Sequence, residues 1–229
     1  MRTFRATKGP FKEGLFLTDD EIEATCVDEL QRQGLFPASP QSIRVDRFIE
    51  KRFGFSPSYE DLPEGVVGLT RFGARGPQEI VVSNELESDQ STAAMRRVRT
   101  TLAHEAGHAL FHAHLFVLGQ GQQLFGDWSD KAKPKVLCRD GERRGYQGEW
   151  WELHANKAMA SLLMPKRLVQ AALAPMMVPA GTLGARVIPD GQREPAARTL
   201  ADIFDVNPIV ARYRLDAIIP TVSSSQLSL

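Results

Sequence analysis

The chain has 229 residues, 42% of them apolar and 24% charged, values that belong to an ordinary globular protein with a full hydrophobic core and exclude wholesale disorder. Lys plus Arg equals Asp plus Glu at 28 each, a balance that argues against a chain built chiefly to grip nucleic acid or an anionic membrane. The two cysteines, Cys26 and Cys138, make no disulfide framework and are expected as free thiols.

Met1 to Glu13 contains no apolar run of the kind a secretion signal needs. The apolar stretches around Leu115–Leu118 and Ala171–Ala180 are too short or too broken by proline to span a membrane. A cytoplasmic protein with no membrane partner is the expectation. Residues 1–40 read as a leader and a helix, with Thr18 as N-cap, Glu21 as its capping-box partner and Gly34 as the stop. A second helix is expected to open at Gln41 or Ser42 and close near Gly54. Val66–Phe72 and Glu79–Ser83 read as strands, joined by a tight connection through Gly73, Arg75, Gly76 and Pro77. A third strand has to exist to steady them, but the sequence does not place it.

Ser91 to Leu118 has the helical period, with Met95, Val98, Leu102, Ala106, Ala109, Ala113 and Phe116 forming one apolar stripe. Gly119 and Gly121 supply its stop, and residues 120–147 read as a long polar surface connection. A further helix is expected from about Gly148 to Met164, ended by Pro165. Residues 171–195, rich in proline and glycine, read as a linker. Two short helices, Pro195–Phe204 and Pro208–Ile219, follow it with helix-turn-helix-like spacing. The domain division is therefore residues 1–40, a core over 41–170, and a linker with a helical segment over 171–229.

The chemistry lies at His104-Glu105-Ala106-Gly107-His108, an H-E-x-x-H run inside the strongest helix expectation of the chain. Residues four apart on an α-helix differ by roughly 40° in azimuth and about 6 Å in rise, so two imidazoles can converge on one ion. The same period puts both rings opposite the Met95–Phe116 stripe, facing a cleft. Glu105 falls between the two faces, placed to take a proton from water without ligating the metal. The bland alternative is a pair of buried histidines bonded to backbone; the helical context and the carboxylates downstream weigh against it.

A catalytic zinc needs a third protein ligand. Glu149, Glu152 and Asn156 share one face of the next helix, with Glu152 the first choice. Glu149 is the reserve, either as ligand or as hydrogen-bonding partner to a ligand histidine. His114 stands ten residues after His104, as in the metzincin pattern, but Phe111 occupies the position where that pattern needs glycine. On an unbroken helix His114 lies about 15 Å along the axis from His104 and cannot reach the same ion. His112 and His114 read as surface or satisfied core residues. Trp150 and Trp151 read as core or wall. Tyr146, His154, Arg139, Arg143 and Arg144 are the open candidates for an oxyanion stabiliser.

Arg99 to His108, Glu152 to Asn156 and Ala160 to Pro165, in that order, resemble the motifs of the ImmA/IrrE metallopeptidases. The resemblance spans about residues 41–219 and is strongest over 96–165. It implies an α+β, zincin-like core: a short β-sheet packed on the H-E-x-x-H helix and on a second, ligand-bearing helix. It also implies His104, His108 and Glu152 as metal ligands, Glu105 as base, and limited cleavage of a helix-turn-helix transcriptional repressor. Zn2+ is the expected ion, although such a ligand set also accepts Mn2+. Lys157-Ala158-Met159 departs from the aromatic-containing run usual there, and residues 1–40 and 171–195 have no assigned counterpart. Two other functions compete with this one. One is a DNA-binding regulator using the C-terminal helix pair, against which the mixed charges of residues 190–229 argue. The other is a non-proteolytic toxin–antitoxin partner that keeps the metal fold, against which the intact Glu105 argues.

Overall fold

A computed structural model describes residues 2–5, 13–115, 135–139, 149–180 and 185–219. Strands β1 (Arg2–Arg5) and β2 (Glu13–Phe16) form an antiparallel hairpin that leads into helix α1 (Asp19–Arg32). The capping box is formed: the Glu21 backbone N–H donates to Thr18 Oγ1 at 3.2 Å, and the Thr18 N–H donates to Glu21 Oε2 at 2.7 Å. Helix α2 (Val45–Phe53) begins a turn later than its sequence suggests and stops at Gly54, whose φ of 82° is the left-handed cap that glycine allows. The late start has a cause at Ile43. Its side chain is buried and its carbonyl accepts Arg99 Nη2 at 2.9 Å, so the chain stays extended there.

Four strands make the main sheet, in the order β3 (Ser58–Glu60), β5 (Gly76–Ser83), β4 (Val66–Gly73), β6 (Lys135–Arg139). β3 runs parallel to β5, and the other pairs are antiparallel. The expected hairpin is thus present, and the unplaced partners are β3 and β6. β6 interrupts the stretch read as a polar connection; the rest of 116–148 lies outside the described residues, with Gly119, Gly121, Arg143, Arg144 and Tyr146 among them.

After the short helix α3 (Asn84–Ser88), helix α4 (Thr92–Phe111) opens on Ser91, whose hydroxyl accepts the Ala94 N–H at 3.2 Å. It crosses the sheet and packs along α5 (Trp150–Leu163) on its other side. Every residue from Thr101 to Ala109 is buried, as expected of a helix enclosed all round. The one-sided stripe is accordingly a misreading. Met95 is 50% exposed, and both histidines are themselves buried. The helix also ends earlier than expected. His112 is its C-cap, and a tighter turn follows in which the Leu115 N–H donates to the His112 carbonyl at 3.0 Å.

Gly107 permits the contact between α4 and α5. A Cβ there would stand 2.9 Å from Ala158 Cβ and 3.1 Å from the Ala155 carbonyl oxygen, so any side chain would push the two helices apart.

The stretch read as a linker is instead ordered into elements: α6 (Lys166–Leu173), a 3-10 turn (Ala174–Met176), the hairpin β7 (Val178–Ala180) with β8 (Ala185–Val187), and the start of α7 (Asp190–Phe204). Proline content misled because Pro165 and Pro189 are N-caps and Pro175 sits in the first positions of the 3-10 turn, where a missing N–H costs nothing. Only Pro195 lies inside a helix.

Helix α8 (Pro208–Ile218) completes an α+β fold in which one buried cluster runs from Ile22 through Leu102 and Leu162 to Leu200 and Leu215. Ion pairs fix the C-terminal helices to that body. Arg96 bonds Asp202 and Asp205 at 3.1 Å each, and Arg214 pairs with Glu23 while donating to the Met164 carbonyl at 2.9 Å. Arg193 and Arg198 are likewise engaged, with Asp216 and Glu194. Among the described residues no helix is long and apolar enough to cross a membrane.

Candidate metal centre

α4 supplies His104 and His108 from successive turns, and α5 supplies Glu152 opposite them. His104 Nε2 lies 3.0 Å from His108 Nε2 and 3.1 Å from Glu152 Oε2, and His108 Nε2 lies 3.4 Å from Glu152 Oε1. Among the described residues these three form the group that could hold a metal ion. The opposite ring nitrogens are also engaged. His104 Nδ1 is 3.0 Å from Asn156 Oδ1, and His108 Nδ1 is 2.9 Å from His112 Nδ1.

That pattern tests whether a cation fits. An amide oxygen can only accept, so His104 carries its proton on Nδ1 and turns a bare Nε2 inward. With His108 in the same tautomer, two nitrogen lone pairs and a carboxylate face one another across about 3 Å, an arrangement that a divalent ion relieves. Ligands about 2.0–2.2 Å from a tetrahedral ion stand roughly 3.3 Å apart, close to the spacings found. The donor set fits.

Electrostatics agree with a site prepared for positive charge. Burial acts to raise the Glu152 carboxyl, but the neighbouring His104 and His108 together outweigh it and hold it well below the usual range. Glu105 is fully buried and lies outside the triad, facing the sheet. Thr70 Oγ1 on β4 donates to Glu105 Oε2 at 2.6 Å, while Oε1 has no hydrogen-bond partner among the described residues. Burial pushes this carboxyl up to about 7, against the opposing pull of His104 and Thr70. Gly68, two residues before Thr70 and on the same strand face, leaves room at the other oxygen: a Cβ there would stand 3.3 Å from Oε1.

Glu149 does not join the group. It is the N-cap of α5, one turn short of the triad, and Asn156 contacts His104 of the triad. His114 also lies outside the triad. His112 is no surface residue: it is fully buried against His108. Trp151 is buried beside Phe72, and Trp150 lies edge-on to the His112 and His154 rings at 5.6 and 5.4 Å. Of the oxyanion candidates, His154 has a described side chain, buried and with no hydrogen-bond partner for Nδ1 among the described residues. Arg139 lies on β6 with its side chain outside the described set, as are all of Tyr146, Arg143 and Arg144. Thr70, Asn156 and His112 are the contacts that the sequence reading did not assign. The last two had a visible signal, since each continues a spacing of four from a ligand.

The buried imidazoles set a pH dependence. Burial lowers His108, takes His112 well below 6.5, and with help from the Lys157 charge brings His154 to about 4. Each therefore binds its proton more readily in the unfolded chain, so the stability it contributes is present above about pH 6.5 and lost as pH falls below it. Glu105, raised to about 7, works the other way as pH falls from there towards its ordinary value. Three groups against one leave a net loss on acidification. The metal-free protein is expected to lose stability as pH falls from about 6.5 to 5, seen as a falling melting temperature. Thermal scans across that range test this, and a flat profile would contradict it.

No known protein-family model matches the chain, and no curated protein sequence matches it significantly either.

Proposed function

We propose that the chain is a zinc-dependent metallopeptidase with a zincin-like core of the ImmA/IrrE kind, cutting a helix-turn-helix transcriptional repressor at a limited site. The observation that carries the reading is the convergence of two imidazole Nε2 atoms and the Glu152 carboxylate beside a buried Glu105, one of whose oxygens has no hydrogen-bond partner among the described residues. His104, His108 and Glu152 hold the ion, which when bound supplies Lewis acidity to a scissile carbonyl. Glu105 accepts a proton from the attacking water at Oε1, while Thr70 holds Oε2, and passes that proton to the leaving amine. Placement of Glu105 in a water-poor wall keeps its proton affinity near that needed for both transfers.

β5 pairs with β3 along Val81–Ser83 and with β4 on its other side, so Glu79–Ser83 offers no free edge for a full substrate strand. β6, which lies next to β4 and also contacts α4, has a partner on one side only among the described residues; its outer edge is the docking strand of this reading.

The test is to load the purified protein with zinc and incubate it with the repressor encoded beside its gene. A single cut that a chelator stops and zinc restores is the expected result. An intact repressor together with a chain that takes up no zinc would defeat the proposal.

A further inference from the structure

We propose that His112 is a positioning residue for the metal centre: its Nδ1 accepts the Nδ1–H of His108 and so fixes the His108 tautomer whose Nε2 is bare. The inference rests on the metal reading above. The two Nδ1 atoms are 2.9 Å apart in a fully buried setting, so one must carry the proton and the other must accept it. An ion at His108 Nε2 takes that nitrogen's lone pair and leaves the His108 proton on Nδ1. The direction of the bond is then settled, with His108 donating and His112 accepting.

The fold also holds the His112 ring in place. His112 is the C-cap of α4, and its backbone N–H donates to the His108 carbonyl at 2.9 Å, which seats it one turn below the ligand. Its ring lies parallel to that of His154, centroids 6.0 Å apart with 11° between planes, and meets Trp150 edge-on at 5.6 Å. A ring clamped from two sides cannot swing away from His108, so His108 cannot rotate without losing its acceptor. Asn156 performs the same task for His104 through an amide oxygen. Each of the two imidazoles is thereby oriented by a side chain four residues after a member of the triad, His112 after His108 on α4 and Asn156 after Glu152 on α5.

The test compares His112→Asn with His112→Leu, side chains of nearly equal size that differ in possessing an acceptor at the Nδ1 position. The probe is zinc itself, measured by competition with a chromophoric chelator, with the visible spectrum of the cobalt-loaded protein as second readout. His112→Leu is expected to bind zinc about 10–100-fold more weakly than the wild type and to alter the cobalt bands. His112→Asn is expected to recover most of that loss. Equal affinity in His112→Leu and the wild type would overturn the proposal. So would an equal loss in both variants, which would assign His112 to packing alone. A wild-type chain that takes up no zinc would instead overturn the metal reading, and this inference with it.

Discussion

Glu105→Gln is expected to lower repressor cleavage by about 10²–10⁴-fold while leaving zinc bound. The substitution preserves shape in a tight place. Its amide oxygen can still accept the Thr70 hydroxyl that now bonds Oε2 at 2.6 Å. The amide nitrogen takes the position of Oε1, which has no hydrogen-bond partner among the described residues and faces the space left by Gly68. What disappears is the capacity to accept a proton from water, and nothing near it supplies a replacement, since both ligand imidazoles turn their free nitrogens to the triad. The ion-holding atoms belong to other residues, so zinc content should match the wild type. Stability should not fall either, because burial already disfavours the charged carboxylate here. Single-turnover cleavage assays and metal analysis on the same preparation check both halves. Cleavage at the wild-type rate would remove Glu105 from the mechanism, and loss of zinc would mean that it holds the ion.

Local signals in the sequence were legible where one short-range rule decided the outcome. Thr18 and Glu21 form their capping box, Gly54 takes the left-handed cap, and Pro165 ends α5. The H-E-x-x-H spacing forces His104 and His108 to meet because helix geometry alone brings them together. Choosing Glu152 over Glu149 needed the start of α5, which periodicity fixes poorly: Glu149 is the N-cap, one turn before Glu152. Other features are tertiary and left little local trace. β3 is three residues long and finds its place only by pairing in parallel with β5. β6 sits in a polar stretch and is defined by its register against Val66–Arg71. Met95 fits the α4 stripe by period but is half exposed, and Thr70 looks like any strand threonine until α4 lays Glu105 across it. The prolines after residue 171 misled because composition counts them without their positions, and Pro175, Pro189 and Pro208 occupy helix starts.

Glu152→Ala is expected to abolish the zinc response of the protein without unfolding it. Glu152 is the α5 contribution to a centre whose other two ligands both lie on α4, so its removal leaves an ion held from one side by a pair of imidazoles. Losing a contact that merely orients a ligand costs about 10–100-fold in affinity, and loss of the ligand itself should exceed that. The metal-free fold loses the Glu152 contacts with His104 and His108 but keeps its apolar packing. Alanine is the best helix former, α5 packs against α4 through Gly107, Ala155 and Ala158, and the carboxylate contributes no bond to the apolar cluster. Zinc at 100 times its dissociation constant should stabilise the wild type by about 2.7 kcal/mol, seen as a rise in melting temperature, and should leave Glu152→Ala unmoved. Melting curves with and without zinc measure this directly. A variant that keeps the full zinc-dependent rise would move the third ligand elsewhere, and Glu149, one turn earlier on the same helix, is the first residue to replace next. A variant that loses the rise but keeps its metal-free melting temperature fixes the role of Glu152 as holding the ion, separate from holding the fold.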